Sequence, residues 1–318
     1  GDAALEEHVR AIRAGRGRLM ETLNRLGIET CPAQGNFVLG EFDTRSDFVF
    51  KSLNALGIRV RRFPHRPEIS DALRITVPDQ QEPLERLLEA LETCLAPEAL
   101  LFDLDGVIAD VEESYRLCVL KTAGTFGVEV TREELADMVL EGDANNDWVL
   151  THRILAGQDI DVSLETVTEA YQELYLGTST SPGLRESEGL LVARDVLSSL
   201  ADRLPLAIVT GRPREEAEWF LDKEGLTGLF QAGVFMEDGP LKPDPAPVRA
   251  AATALGVGRT WMIGDTPDDI RAAARAGAIP IGVVAPGPDP VASAVALCEA
   301  GAATVLDTID DLMELLPR

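Results

Sequence analysis

Two carboxylates lie one residue apart in Asp103-Leu104-Asp105-Gly106, directly after the apolar run Leu100-Leu101-Phe102. Residues two apart in a strand face the same side, so both acids are expected together at the strand's end. That pairing suits hydrolysis of a phosphate ester. One aspartate attacks phosphorus to give an aspartyl phosphate, which splits a hard hydrolysis into two easier displacements. The other protonates the leaving alkoxide and later activates water. Gly106 lets the chain turn sharply behind them. Taken alone, the same four residues also read as a turn carrying two solvated acids.

Three further signals follow in order along the chain. Val209-Thr210-Gly211-Arg212-Pro213 puts a hydroxyl and free backbone donors at the end of a second apolar run, so Thr210 and Gly211 are candidates for binding phosphate oxygens. Lys242, between Leu241 and Pro243, supplies a cation that pairs with the nucleophile and the phosphoryl group. Gly264-Asp265-Thr266-Pro267-Asp268-Asp269 brings acids whose hard oxygens suit magnesium held together with Asp103.

These motifs need strands to carry them. Short apolar runs at 100–104, 205–209, 261–264 and 279–283 have the texture of a parallel sheet covered on both faces, where ligands gather beyond the carboxyl ends. About a hundred residues separate the first two runs. Their helical patterning, at 114–126, 132–140, 146–155 and 164–176, predicts a helical cap over the site. Within it, Glu141-Gly142-Asp143-Ala144-Asn145-Asn146-Asp147-Trp148 crowds polar residues before a helix start. Asn145, Asn146 and Arg153, with His152, are therefore candidates for reading the substrate. The competing reading is an N-capping turn with Asn146 or Asp147 as the cap.

Residues 1–98 have a different character. Helical periodicity at 6–26, 47–56 and 82–94, with short strands at 36–40, 58–61 and 73–77, predicts a small α/β sandwich. Ala96-Pro97-Glu98 punctuates its end, and the charge changes there. Residues 1–98 hold 13 basic and 16 acidic side chains, whereas 99–318 hold 16 and 38. A domain boundary is expected near residue 98, with a core at 99–113 and 190–318 and the cap at about 114–189.

The formal net charge of −25 over 318 residues speaks against coating nucleic acid, which needs clustered positive charge. A composition 45% hydrophobic supports a sizeable core. No apolar run approaches the roughly 18 to 20 residues of a membrane span, and no basic-then-apolar leader opens the chain, so a cytoplasmic protein with neither nucleic-acid nor membrane partners is expected. Cys31, Cys94, Cys118 and Cys298 form no CxxC pair and read as buried thiols. Only four of the 29 basic residues are lysines, a balance that suits a salty cytoplasm as well as an ordinary acidic protein.

Asp103 to Asp105, Thr210, Lys242, and Asp265 with Asp269, each at a strand end and in this order, resemble the four motifs of the haloacid dehalogenase superfamily over residues 99–318. The helical insertion resembles its phosphoglycolate-phosphatase-like branch. The resemblance implies a Rossmann-like core with a parallel sheet, an α/β fold, and a magnesium-dependent phosphoric monoester hydrolase. By the same resemblance Asp103 is the nucleophile, and Asp105 is the general acid/base with its carbonyl on the metal. Thr210 and Lys242 bind phosphate, Asp265 is a magnesium ligand, and Asp269 acts in the outer metal shell ahead of Asp268. The dehalogenases lack an acid at the position of Asp105, which favours phosphate esters. A phosphomutase with the same motifs is the alternative.

Residues 5–95 resemble the C-terminal small domain of pyridoxal-phosphate aminotransferases, closest to histidinol-phosphate aminotransferase, through Gly35 to Leu39, Gly57 to Arg61 and Leu73-Arg74-Ile75-Thr76-Val77. The resemblance gives Arg74 an anion-binding role, with Arg61 beside it. Lys51, the one lysine before residue 99, sits in a predicted amphipathic helix and not in a Schiff-base turn, so transamination is not expected. The unit then serves homodimerisation or docking of an aminotransferase, or the chain is the tail of a longer polypeptide. The association makes histidinol phosphate a candidate substrate beside phosphoglycolate-like acids. The remaining alternative is an interaction module with the hydrolase as scaffold.

Overall fold

The computed structural model describes residues 2–142 and 144–316. Its first unit is built on α1 (Asp2–Arg25), β1 (Glu29–Thr30), β2 (Phe37–Glu41), α2 (Ser46–Ala55), β3 (Arg61–Arg62), β4 (Ala72–Thr76) and α3 (Gln81–Leu95). The four strands form an antiparallel sheet in the order β1-β2-β4-β3. The strand expected at 58–61 is shorter and later, because only Arg61 and Arg62 reach the ladder beside Arg74 and Leu73. The two-residue β1 has no apolar alternation to announce it.

The chain then enters β5 (Ala99–Phe102), makes the short β6 (Ala109–Asp110), and passes into four helices: α4 (Leu117–Thr125), α5 (Arg132–Glu141), α6 (Asp147–Ala156) and α7 (Leu164–Leu176). A π-helical turn at Glu112–Arg116 leads into α4. After a small hairpin, β7 (Gly177–Thr178) and β8 (Ser181–Pro182), the chain returns along β9 (Gly189–Leu190), which pairs with β6. The helical insertion therefore leaves and re-enters over one two-stranded hinge.

The remainder alternates helix and strand: α8 (Arg194–Ala201), β10 (Leu206–Val209), α9 (Arg214–Lys223), β11 (Ala232–Val234), α10 (Ala246–Leu255), β12 (Thr260–Gly264), α11 (Pro267–Ala276), β13 (Ile279–Val283), α12 (Pro290–Ala300) and β14 (Thr304–Leu306). The six long-range strands run parallel in the order β11-β10-β5-β12-β13-β14. Every residue of β5, β10, β12 and β13 is buried, as strands covered on both faces must be. The edge strands β11 and β14 are short and partly exposed, so sequence pattern misses them.

One apolar cluster runs through both units, from Leu53 and Leu91 to Leu100 and Trp261. The Phe48 ring meets Trp261 edge-on at 5.1 Å, and Trp261 Nε1 donates to Thr93 O at 2.7 Å. Arg259 Nε donates to Ala96 O at 3.1 Å beside its ion pair with Glu98. Cys94 and Cys118 are buried, but Cys31 is half-buried and Cys298 exposed. Four buried thiols were expected; Cys298 departs because α12 buries only Leu297. Among the described residues no helix is long and apolar enough to cross a membrane.

Candidate active site

Because β5 lies between β10 and β12, the loops leaving the carboxyl ends of these three strands converge. β5 itself stops at Phe102, so the strand alternation expected to aim both acids does not extend to them. The turn does the aiming. Asp103 N donates to Ile263 O at 2.9 Å, and its Oδ1 accepts from Leu104 N at 2.8 Å. Gly106 follows at φ +70°, where a side chain is strained, and a Cβ there would strike the Asp265 carboxylate.

Lys242 joins the motifs. Its Nζ lies 2.8 Å from Asp103 Oδ1 and 2.6 Å from Asp269 Oδ1, and donates to Val209 O at 3.0 Å. Burial works against the ammonium, yet Asp103 and Asp269 outweigh it and hold the lysine charged. Burial pushes the Asp103 carboxyl up to about 7; Lys242 opposes this, while Asp269 and Asp105 add to it. Asp265 is driven well above the usual carboxylate range by burial and then by Asp269 and Asp103, against Arg116 and Lys242.

The same crowding describes a cation site. One oxygen each of Asp103, Asp265 and Asp269 lies within 4.8 Å of the others, and Asp265 Oδ1 is buried with no hydrogen-bond partner. A buried carboxylate oxygen without a donor is costly unless a cation meets it, and three hard oxygen donors suit magnesium. The residues fit the ion. Asp269 is the most committed of the three. Its Oδ2 closes a capping box at the start of α11, accepting from Thr266 N at 3.0 Å and Thr266 Oγ1 at 2.6 Å. Asp103 and Asp265 are left as the direct side-chain donors. The Asp105 side chain is directed elsewhere: its Oδ1 accepts from Arg212 Nε at 2.6 Å, so its carboxylate is not grouped with the cation site.

A cavity of about 50 Å³ is lined by Asp103, Asp105, Gly211 and Asp265 from the sheet side and by Asn145 and Asp147 from the helical side. Thr210 is buried just behind it, its Oγ1 accepting from Arg212 N at 3.1 Å with the hydroxyl hydrogen still available. Gly211 has no room for a Cβ because the Asn145 carbonyl rests against it. Asn145 Nδ2 donates to Lys242 O at 2.9 Å and to Asp268 Oδ2 at 3.0 Å, so the insertion is latched onto the sheet.

Of the other expected reading residues, Asn146 is spent on capping α6, its Oδ1 accepting from Trp148 N at 3.0 Å and Val149 N at 3.1 Å. Arg153 is exposed on α6 and lines neither this cavity nor its neighbour, and His152 Nε2 lies 3.0 Å from Val162 O. These correct the expectation for Asn146 and Arg153: the helix that Asn146 starts turns Arg153 outward. Asp143 lies outside the described residues. Arg74 is half-buried on the first sheet, its guanidinium 5.2 Å above the Phe37 ring and level with Arg61 on the next strand; it lines neither cavity.

Sequence reading gave Arg116 and Arg212 no role and offered Asp147 only as a possible helix cap. Arg116 Nη1 lies 3.4 Å from Asp147 Oδ1, and burial raises the Asp147 carboxyl to about 6 against Arg116. Helical periodicity counts only apolar positions, so an ion pair on an inward face leaves no trace in it. Val111, Arg116 and Asp265 also line a second cavity of about 370 Å³. Among the described residues its rim is acidic, with Asp110, Glu112, Glu133, Asp137 and Asp289 beside one further cation, Arg132.

A family model for haloacid dehalogenase-like hydrolases matches residues 100–283. An imidazoleglycerol-phosphate dehydratase of Phytophthora nicotianae is 41% identical over 237 residues, covering 69% of this chain and 52% of the relative, so the chain spans about half that relative's length. A phosphoglycolate phosphatase of Rhodospirillum rubrum is 30% identical over 219 residues, 63% of this chain and 86% of the relative. A histidinol-phosphate aminotransferase of Xanthomonas campestris pv. campestris is 40% identical over 94 residues, 28% of this chain and 25% of the relative.

Proposed function

We propose that this chain, which belongs to the haloacid dehalogenase-like hydrolase family, is a magnesium-dependent phosphatase that cleaves a small phosphate monoester through an aspartyl phosphate on Asp103. The observation that carries this reading is the buried Lys242 ammonium against Asp103 Oδ1, with Asp105 on the same small cavity. Lys242 holds the attacking carboxylate in place and supplies positive charge beside the phosphoryl oxygens. Thr210 Oγ and the Gly211 amide complete the cradle.

In the first step an Asp103 oxygen bonds to phosphorus, the bond from phosphorus to the ester oxygen breaks, and the Asp105 carboxyl proton passes to the leaving alcohol. In the second step Asp105, now a carboxylate, takes a proton from water as the water oxygen attacks phosphorus, releasing phosphate and restoring Asp103. Asp103 and Asp265, with the Asp105 carbonyl and Asp269 behind them, would hold magnesium. Bound there, the ion supplies charge against the anionic oxygens and relieves the repulsion among the acids. The Asn145 latch keeps water out while the acyl phosphate exists.

Histidinol phosphate is the substrate this reading favours. Two relatives bear names of imidazole-containing phosphates, and the acidic rim of the larger cavity suits a cationic alcohol better than an acid. A phosphoglycolate-like acid is the second reading, favoured by the phosphatase relative. The test is phosphate release from a panel containing histidinol phosphate, phosphoglycolate and sugar phosphates, with magnesium and with chelator. Magnesium-dependent release, fastest from histidinol phosphate and abolished in Asp103→Asn, supports the proposal. Isomerised sugar phosphate without free phosphate would assign a mutase, and no turnover of any ester would turn attention to residues 1–98 as a docking unit for an aminotransferase.

A further inference from the structure

Among the described residues Arg212 is the largest charged side chain to be almost completely buried, at 1% exposure. One edge of its guanidinium meets a single oxygen of Asp105, with Nε at 2.6 Å and Nη2 at 2.5 Å from Oδ1. The opposite corner, Nη1, donates to Glu188 Oε2 at 2.8 Å, and both of those side chains are fully buried. The guanidinium carbon lies 4.5 Å from the Tyr115 ring centre and 5.3 Å from that of Phe220. Acids and rings thus hold the group in place, and its geometry serves Asp105 ahead of any substrate.

Asp105 Oδ2, by contrast, accepts no hydrogen bond from the described residues, and Asp105 lines the small cavity with Asp103. We propose that Arg212 is a positioning residue that holds Oδ1 of Asp105 as a hydrogen-bond acceptor, so that Oδ2 is the oxygen through which the proton passes to the leaving alcohol. The inference rests on the reading of Asp105 as general acid/base. A guanidinium edge offers only donors, so the oxygen held against it serves as an acceptor. With one oxygen fixed, the other has a single direction in which to deliver its proton. Glu188 immediately precedes β9, the strand by which the chain returns from the helical insertion. The guanidinium that aligns the acid is therefore itself anchored at the hinge.

The test separates proton delivery from everything else by varying the leaving group. An alkyl phosphate needs its alcohol protonated as it departs; 4-nitrophenyl phosphate does not. For Asp105→Asn, the kcat on an alkyl monoester should fall by about a hundred-fold or more, the usual contribution of a general acid, with a much smaller loss on 4-nitrophenyl phosphate. Arg212→Lys keeps the charge but loses the planar edge, and Arg212→Met combined with Glu188→Gln removes the fully buried pair together and leaves only the partly exposed Asp105 without its partner. Both should repeat the Asp105→Asn pattern at roughly a ten-fold to hundred-fold loss on the alkyl ester, with KM for either ester within about three-fold. Circular dichroism and thermal unfolding confirm that the compared variants are folded. Equal losses on both esters, or a KM rise on both, would overturn the proposal in favour of a structural or phosphate-binding arginine. If Asp105→Asn spares the alkyl ester, the assignment of Asp105 fails instead.

Discussion

Replacing Lys242 with methionine tests whether the site is short of positive charge, as its geometry indicates. The ammonium lies within 2.8 Å of Asp103 and 2.6 Å of Asp269, and all three side chains are buried. Methionine fills much of the volume but leaves Asp103, Asp265 and Asp269 with Arg116 as the opposing cation. Removing one partner of a buried pair costs about 3–5 kcal/mol, because the remaining charge is stranded. The pH dependence follows from the direction of the Asp103 shift. Its folded pKa, about 7, stands above the unfolded value of about 3.9, so ionising it drains stability as pH climbs through that window. Lys242 opposes that rise, and without it the loss deepens and extends to higher pH. Urea unfolding of wild type and Lys242→Met in EDTA should therefore show a deficit of about 3–5 kcal/mol at pH 8 that shrinks by at least about half at pH 5.5, where Asp103 and Asp265 hold their protons. A deficit below about 1 kcal/mol at pH 8, or one that grows on acidification, would refute the charge argument.

Other consequences can be measured independently. Magnesium at about a hundred times its Kd should stabilise the wild type by about 2.7 kcal/mol in urea unfolding, and Asp265→Asn should lose most of that gain. Gly211→Ala pushes a methyl group into the Asn145 carbonyl; steady-state kinetics should show kcat/KM down by at least about ten-fold with far-UV circular dichroism unchanged. Trp261→Phe leaves Thr93 O buried without its donor, and calorimetry should register a loss of about 1–3 kcal/mol shared by both units in one transition. Burial lifts the Cys94 thiol to about 12, and Cys298 is exposed, so a thiol reagent at pH 8 should label Cys298 first and leave Cys94 untouched until unfolding.

Much of this arrangement was legible in the sequence, for physical reasons that particular residues show. β5, β10, β12 and β13 announce themselves because a strand buried on both faces is apolar almost throughout, and the polar residues that follow β5, β10 and β12 mark the ends of those three. The two-residue strands and the edges β11 and β14 carry no such pattern, since half of each faces water or lies in a turn. Asp103, Lys242 and Asp265 were found as motifs and are brought together by the order of strands in the sheet. Arg212 was not. It stands between Gly211 and Pro213 like any turn residue, and its pairing with Glu188 and Asp105, which lie far apart in the chain, exists only after folding. Asn146 shows the converse. Its type and place before a helix fit both substrate contact and capping, and only the hydrogen bonds to Trp148 and Val149 decide between them.

The claim on which the rest depends is that Asp103 is the group that becomes phosphorylated. Quenching the protein during turnover of its best ester, reducing with borohydride and sequencing the peptides by mass spectrometry reads this directly, because an acyl phosphate is reduced to the alcohol. Conversion of Asp103 to homoserine, dependent on both ester and magnesium and with Asp105 unchanged, is the expected result. Reduction at another carboxylate, or none while phosphate is being released, would contradict the account.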